Sequence, residues 1–134
     1  MDIYHGPVIT NEVEKAYKEN IVSLDKHIRK SAEILGDLIG FYSSQPAVLI
    51  REKDKIMAFA SYTFLMKPRQ MMWVTSLGSF KQGYGKIIVR ELEKITLQND
   101  VLYIGLTPDP EARGFYEHLG FIWDDSRKFM RKRL

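Results

Sequence analysis

The 134-residue chain contains no cysteine. That single absence removes disulfide frameworks, thiolate metal sites and cysteine nucleophiles together. Nor is there an apolar run near the roughly 20 residues that a membrane helix needs; the longest, Ile56–Met66, is broken by serine and threonine. Proline (5) and glycine (9) are too few for a linker-rich or fibrous protein. The opening Met1-Asp2-Ile3-Tyr4-His5 lacks the basic and apolar stretches of a secretory leader. His5, His27 and His118 are isolated from one another, so no histidine metal site is expected. These absences predict a soluble, cytoplasmic protein, one domain over residues 1–134, with no metal and no membrane contact.

What is present has the globular balance: 45% hydrophobic and 28% charged residues. The net charge is only +3, too small to argue for nucleic acid as a partner. It is unevenly spread. Residues 51–98 hold 9 basic and 4 acidic groups, against 5 and 7 in residues 1–50 and 6 and 6 in residues 99–134. Any anion the protein meets is therefore expected at the middle third.

Along the chain, residues 2–9 read as a short edge strand. Apolar residues at helical spacing predict one or two helices from Thr10 to Ile28 and another over Ser31–Phe41. Ala47–Arg51, Ile56–Met66 and Met71–Leu77 read as an antiparallel meander. The period then changes, with Ile88, Leu92 and Ile95 on one face of a helix over Gly83–Gln98. The uninterrupted apolar run Val101–Leu106 predicts a strand buried on both faces and parallel to 71–77, completing a βαβ unit. A helix over Pro110–Leu119, closed by Gly120, and a hairpin of 121–123 with 128–134 finish the chain. The fold class expected is mixed α/β.

Two segments carry chemistry. Phe80-Lys81-Gln82-Gly83-Tyr84-Gly85-Lys86 is a glycine loop between strand and helix, where successive N–H groups can converge on one anion. It is not a Walker A motif, because Ile87 follows Gly85-Lys86 and Phe80 stands where the first glycine belongs. It is not a dinucleotide fingerprint either: Ile88 and Tyr103 occupy the positions of the third small residue and the acid. The second segment, Ala112 to Phe121, places Ala112, Phe115 and Leu119 on a core face with Tyr116 at its edge. Taken singly, a plain loop-to-helix turn explains the first and a core tyrosine the second.

Together the two segments resemble the GNAT superfamily of N-acetyltransferases. Phe80-Lys81-Gln82-Gly83-Tyr84-Gly85 matches the family's Gln/Arg-x-x-Gly-x-Gly/Ala at both glycines. Asp109–Phe121 matches its Asn-x-x-Ala-x-x-Phe-Tyr-x-Lys-Leu-Gly-Phe at Ala112, Phe115, Tyr116, Leu119, Gly120 and Phe121. The likeness is specific over residues 71–123 and architectural over residues 1–70. It implies a mostly antiparallel sheet with one central parallel pair and flanking helices. It also implies an acetyl-CoA site. Backbone N–H groups of Gln82, Gly83, Tyr84, Gly85 and Lys86 would hold the pyrophosphate, with Lys81 adding charge. Thr75, Ser76 and Leu77 would pair with pantetheine as an added strand, Asp109 would lie near it, and Phe115 would pack on it. Tyr116 would protonate the departing thiolate, a transfer nearly balanced at ordinary phenol and thiol acidities.

Phe80 departs from the family's Gln/Arg, Asp109 from its Asn and His118 from its frequent Lys. The base has no obvious candidate: strand 71–77 holds no carboxylate, leaving His118, Asp124, Asp125 and the acids of the first helix. The function implied is an acyl-CoA-dependent N-acetyltransferase acting on an unidentified primary amine, as monomer or homodimer. Its acceptor pocket is expected from residues 10–45 and the turns at 67–70 and 124–127. A non-catalytic acyl-CoA or partner-binding module, and an RNA-directed acyltransferase or RNA-binding module using the basic middle third and Arg131-Lys132-Arg133, are the alternatives.

Overall fold

A computed structural model describes residues 1–7, 46–53, 55–67 and 69–134. The helices expected between residues 10 and 41 lie outside the described residues. Seven strands form one sheet: β1 (Asp2–Pro7), β2 (Pro46–Glu52), β3 (Lys55–Leu65), β4 (Met71–Ser79), β5 (Tyr103–Leu106), β6 (Ile122–Asp124) and β7 (Phe129–Arg133). Their order is β1-β2-β3-β4-β5-β7-β6. Every neighbouring pair is antiparallel except β4 and β5. The mixed fold with one central parallel pair is thus the one expected.

Helix α1 (Tyr84–Gln98) crosses from β4 to β5. Ile88, Val89, Leu92 and Ile95 are buried on it, each worth roughly 1.5–3 kcal/mol when fully removed from water. They pack with Met72 and Val74 of β4 and Ile104 and Leu106 of β5. Because side chains alternate along a strand, Met71 and Trp73 point to the opposite face of the sheet. Helix α1 ends in a Schellman closure. The Asp100 N–H reaches the Leu97 carbonyl at 3.0 Å and the Val101 N–H reaches that of Thr96 at 3.1 Å. Asp100 takes the left-handed position, φ 58°. That closure uses Val101, which is why β5 begins at Tyr103 rather than at Val101.

The helix expected over 110–119 is two pieces. Pro110–Ala112 is a 3₁₀ turn and only Arg113–His118 (α2) is α-helical. Its end is a second Schellman closure around Gly120, φ 94°, with the Gly120 N–H on the Glu117 carbonyl and the Phe121 N–H on that of Tyr116, both at 3.0 Å. The apolar contact that accompanies such closures is Tyr116 on Phe121, ring centroids 5.6 Å apart.

Candidate functional site

Strands β4 and β5 start as neighbours, with Met72 opposite Ile104 and Trp73 opposite Gly105. Beyond Trp73 no described strand pairs with that edge of β4, although β4 runs on to Ser79. An unpaired edge offers main-chain donors and acceptors to an extended ligand. Two features open it. Ser61 faces Ser76 while Tyr62 faces Val74, so Thr75 is an extra, bulged residue that bends β4. β5 stops at Leu106, ahead of Pro108 and Pro110. Thr75, Ser76 and Leu77 therefore stand along the opening.

The bulge is held by a hydroxyl cluster that the sequence did not reveal. Ser61 Oγ is wholly buried, lies 2.8 Å from Thr75 Oγ1 and also hydrogen-bonds Ser76 Oγ. In the sequence Ser61 is, with Thr63, a small hydroxyl residue in an otherwise mostly apolar strand. Only the register puts it under the bulge.

β4 runs into the glycine loop. Phe80 is buried on Phe59, ring centroids 5.7 Å apart, and its N–H donates to the Met57 carbonyl at 2.8 Å. Where the family has Gln or Arg, this chain has an apolar anchor. Gly83 caps α1 at φ 94°, a conformation that side chains disfavour. No side chain caps the helix and its first turn holds no acid, so the N–H groups and the positive end of α1 face outward unneutralised. Tyr84 is the exception, with its N–H 3.4 Å from the Lys81 carbonyl. Its phenol is raised by burial and by the Glu52 carboxylate, which accepts its hydrogen bond. Lys81, Gln82 and Lys86 are exposed around the loop.

Gly85 is where the two sequence segments meet. A Cβ built on it would lie 3.1 Å from Phe115 Cζ and 3.7 Å from Ser79 Cβ. Asp109 opens the 3₁₀ turn, its carbonyl accepting the Ala112 N–H at 2.8 Å. The expected roles of Phe115 and Tyr116 in packing are reversed. Tyr116 is 6% exposed and in the core, whereas Phe115 is half-buried beside the loop. In so short a helix the buried stripe runs from Ala112 to Tyr116, four residues apart, and on to Leu119. Tyr116 touches Phe115 edge-on, ring centroids 5.0 Å apart. Burial pushes its phenol far above the usual 10. The near-match of phenol and thiol acidity expected from ordinary values therefore does not hold at this position. The hydroxyl stays protonated at neutral pH, as a donor.

The base candidates fare differently. Asp124 Oδ1 accepts from the Ser126 and Arg127 N–H groups at 3.1 Å and from Ser126 Oγ at 2.8 Å, and these bonds hold its acidity below the usual range. It is a turn-forming residue and a weak base. Asp125 is exposed and bonded to Lys128 and Trp123, and His118 is exposed on α2. The acids of the first helix lie outside the described residues. The basic tail expected as an RNA contact is strand β7. There Lys132 sits 2.8 Å from Glu93, and Arg131 is 4.0 Å from Asp124.

The turns at 67–70 and 124–127 do converge. Together with Trp73 and Phe129 they line a cavity of about 310 Å³ on the sheet face opposite α1. The third expected contributor, residues 10–45, lies outside the described residues. No helix among the described residues is long and apolar enough to cross a membrane.

No curated protein matches the chain in sequence. Solved structures match its fold at low identity. An acetyltransferase from Brucella melitensis in complex with acetyl-CoA shares 13% identity over 99% of this chain and 88% of its own, with a TM-score of 0.63. The catalytic domain of a Tetrahymena histone acetyltransferase in complex with coenzyme A shares 14% over 98% and 92%, TM-score 0.67. The PaiA N-acetyltransferase of Thermoplasma acidophilum, with coenzyme A, shares 14% over the whole of both chains, TM-score 0.62. Residues 12–121 match the acetyltransferase (GNAT) family, most of the chain's length and both of its diagnostic segments. The chain belongs to the GNAT acetyltransferase family.

Proposed function

We propose that this protein is a single-domain N-acetyltransferase, acting in the cytoplasm, that moves the acetyl group of acetyl-CoA to a primary amine by direct attack. The observation that carries the reading is the open edge of β4 leading straight into an uncapped helix start at Gly83. Pantetheine would pair with Thr75–Leu77, the pyrophosphate would sit on the N–H groups of residues 82–86, and Phe115 would flank the arm. An edge N–H of β4 would bind the carbonyl oxygen as it gains charge. The nitrogen of the neutral amine forms the new C–N bond, the C–S bond breaks, the thiolate leaves beside the Tyr116 hydroxyl, and the proton shed by the nitrogen ends on that sulfur, giving an amide and free CoA thiol. Holding both substrates at one place supplies most of the acceleration in such a scheme.

Calorimetric titration with acetyl-CoA, followed by thiol release with a panel of amines, tests this. Binding and release are expected in the wild type. Both should be lost in Gly83→Val/Gly85→Val with circular dichroism unchanged. Lys81→Gln/Lys86→Gln, which alters only exposed side chains, should weaken binding without disturbing the fold. Unchanged binding in a folded glycine double variant overturns the site. Binding without release from any amine favours the non-catalytic module, a reading that the absence of a carboxylate on β4 supports.

A further inference from the structure

The cavity beside the opening has a composition that bears on the acceptor. Its floor is aromatic and rests on Gly105. A Cβ there would come within 2.6 Å of Met71 Sδ, 3.2 Å of Trp73 Cζ3 and 3.3 Å of Phe129 Cε2. Only glycine lets the Trp73 and Phe129 rings close over β5, their centroids 5.6 Å apart. Trp73 is also the last residue of β4 to pair with β5, so the cavity lies next to where the strands part.

Its rim is cationic. Lys67 and Arg69 come from the β3–β4 turn, Arg127 from the β6–β7 turn and Arg131 from β7. Among the described residues no carboxylate lines it. Arg69 is held 4.5 Å above the Tyr103 ring, and Arg131 stands 4.0 Å from Asp124. Lys67 and Arg127 form no ion pair among the described residues. Cations scattered over a surface need no explanation. Four on one small hollow, from two segments far apart in sequence, repel one another, and among the described residues only Arg131 of the four has a carboxylate beside it, so an added anion would be favoured there. That anion is not the CoA pyrophosphate. The glycine loop follows Ser79, six strand residues or about 20 Å beyond Trp73.

Resting on the acetyl-transfer reading, we infer that the acceptor is a small amine carrying a carboxylate or phosphate, bound by this cavity with its apolar body on Trp73 and Phe129. The volume is at the small end of ligand pockets, which suits a molecule of amino-acid size rather than a polymer. A polycationic amine is the acceptor that such a rim most disfavours.

Matched amines that differ in the anion test this: tryptophan against tryptamine, and O-phosphoethanolamine against ethanolamine. Each is titrated calorimetrically into the protein both free and with CoA present, and each is assayed with acetyl-CoA by thiol release. At least one anionic member should bind and react about tenfold better than its twin, the scale of one charged hydrogen bond. The two pairs distinguish carboxylate from phosphate. Lys67→Gln/Arg127→Gln should erase that preference while leaving acetyl-CoA affinity unchanged. Equal handling of both twins in each pair, failure of all four to bind included, overturns the inference, as does a preference that survives in the double variant. With acetyl-CoA still bound, those results leave the acetyl-transfer reading standing. A wild type that does not bind acetyl-CoA removes that reading instead, and the calorimetric arms with the amines still decide the charge of the cavity.

Discussion

Tyr116→Phe separates chemistry from packing. The substitution keeps the ring that meets Phe115 and Phe121 at 5.0 and 5.6 Å, and with it the closure of α2. It deletes one hydroxyl from a residue 6% exposed. A buried hydroxyl contributes about 1 kcal/mol or less in net terms, so the melting temperature should move by only a few degrees. The effect on rate follows from acidity. A phenol at its ordinary 10 already lies about 1.5 units above a thiol near 8.5, and burial widens the gap. Complete proton transfer to the thiolate is therefore uphill. What Tyr116 can supply is a hydrogen bond to a developing anion, about 1.5–3 kcal/mol or roughly 10–100-fold. Turnover in Tyr116→Phe should fall by that factor rather than by the 10⁴ of a matched general acid. The KM for acetyl-CoA should change by less than about threefold. Steady-state thiol release with any accepted amine provides the measurement. Full activity in the variant refutes the catalytic role and leaves a core tyrosine.

Three further outcomes follow from the same geometry. Gly83→Ala meets no atom within 4 Å, so its cost is conformational: about 1–2 kcal/mol at φ 94°, a melting point lower by about 4–7 °C, with Gly83→Asn milder. Alkaline pH should destabilise the wild type more than Tyr116→Phe. The raised phenol stays neutral in the folded state while the unfolded chain ionises near 10, so this stability is full below pH 10 and falls above it, by up to about 1.4 kcal/mol per pH unit in urea titrations. Gly105→Ala should lower the denaturation midpoint by about 1–3 kcal/mol equivalent, because Met71, Trp73 and Phe129 must all give way.

Much of the fold was legible because its signals are periodic. The α1 stripe of Ile88, Leu92 and Ile95 and the unbroken apolar β5 each have one plausible burial, and the βαβ handedness rule then makes β4 and β5 parallel. Boundaries depended on local closures that periodicity does not encode, as Asp100 in a glycine-like conformation shows. At the site, the glycine loop and the 112–121 segment were readable because spacing carried them. The exchange of Phe115 and Tyr116 was not, since a six-residue helix has too few turns for its pattern to fix which face is buried. The bulge at Thr75 was invisible for a further reason. A one-residue slip between β3 and β4 leaves both sequences equally strand-like, and only pairing reveals it.

The proposed site rests on main chain, which is compatible with a fold shared at 12–16% identity with its structural neighbours. A strand edge and a helix start present the same N–H groups whatever side chains they bear, so the glycines and a few packing contacts are the demanding positions. Phe80 illustrates the freedom this leaves. It gives up a polar side chain at the loop yet holds the loop's first residue to Met57 through the backbone. The cavity is the opposite case. Nothing in the β4 edge selects an acceptor, so in the proposed scheme selection falls to side chains outside the main-chain site, and Lys67, Arg69, Arg127 and Arg131 lie on the turns and on β7, where exchange disturbs the core least.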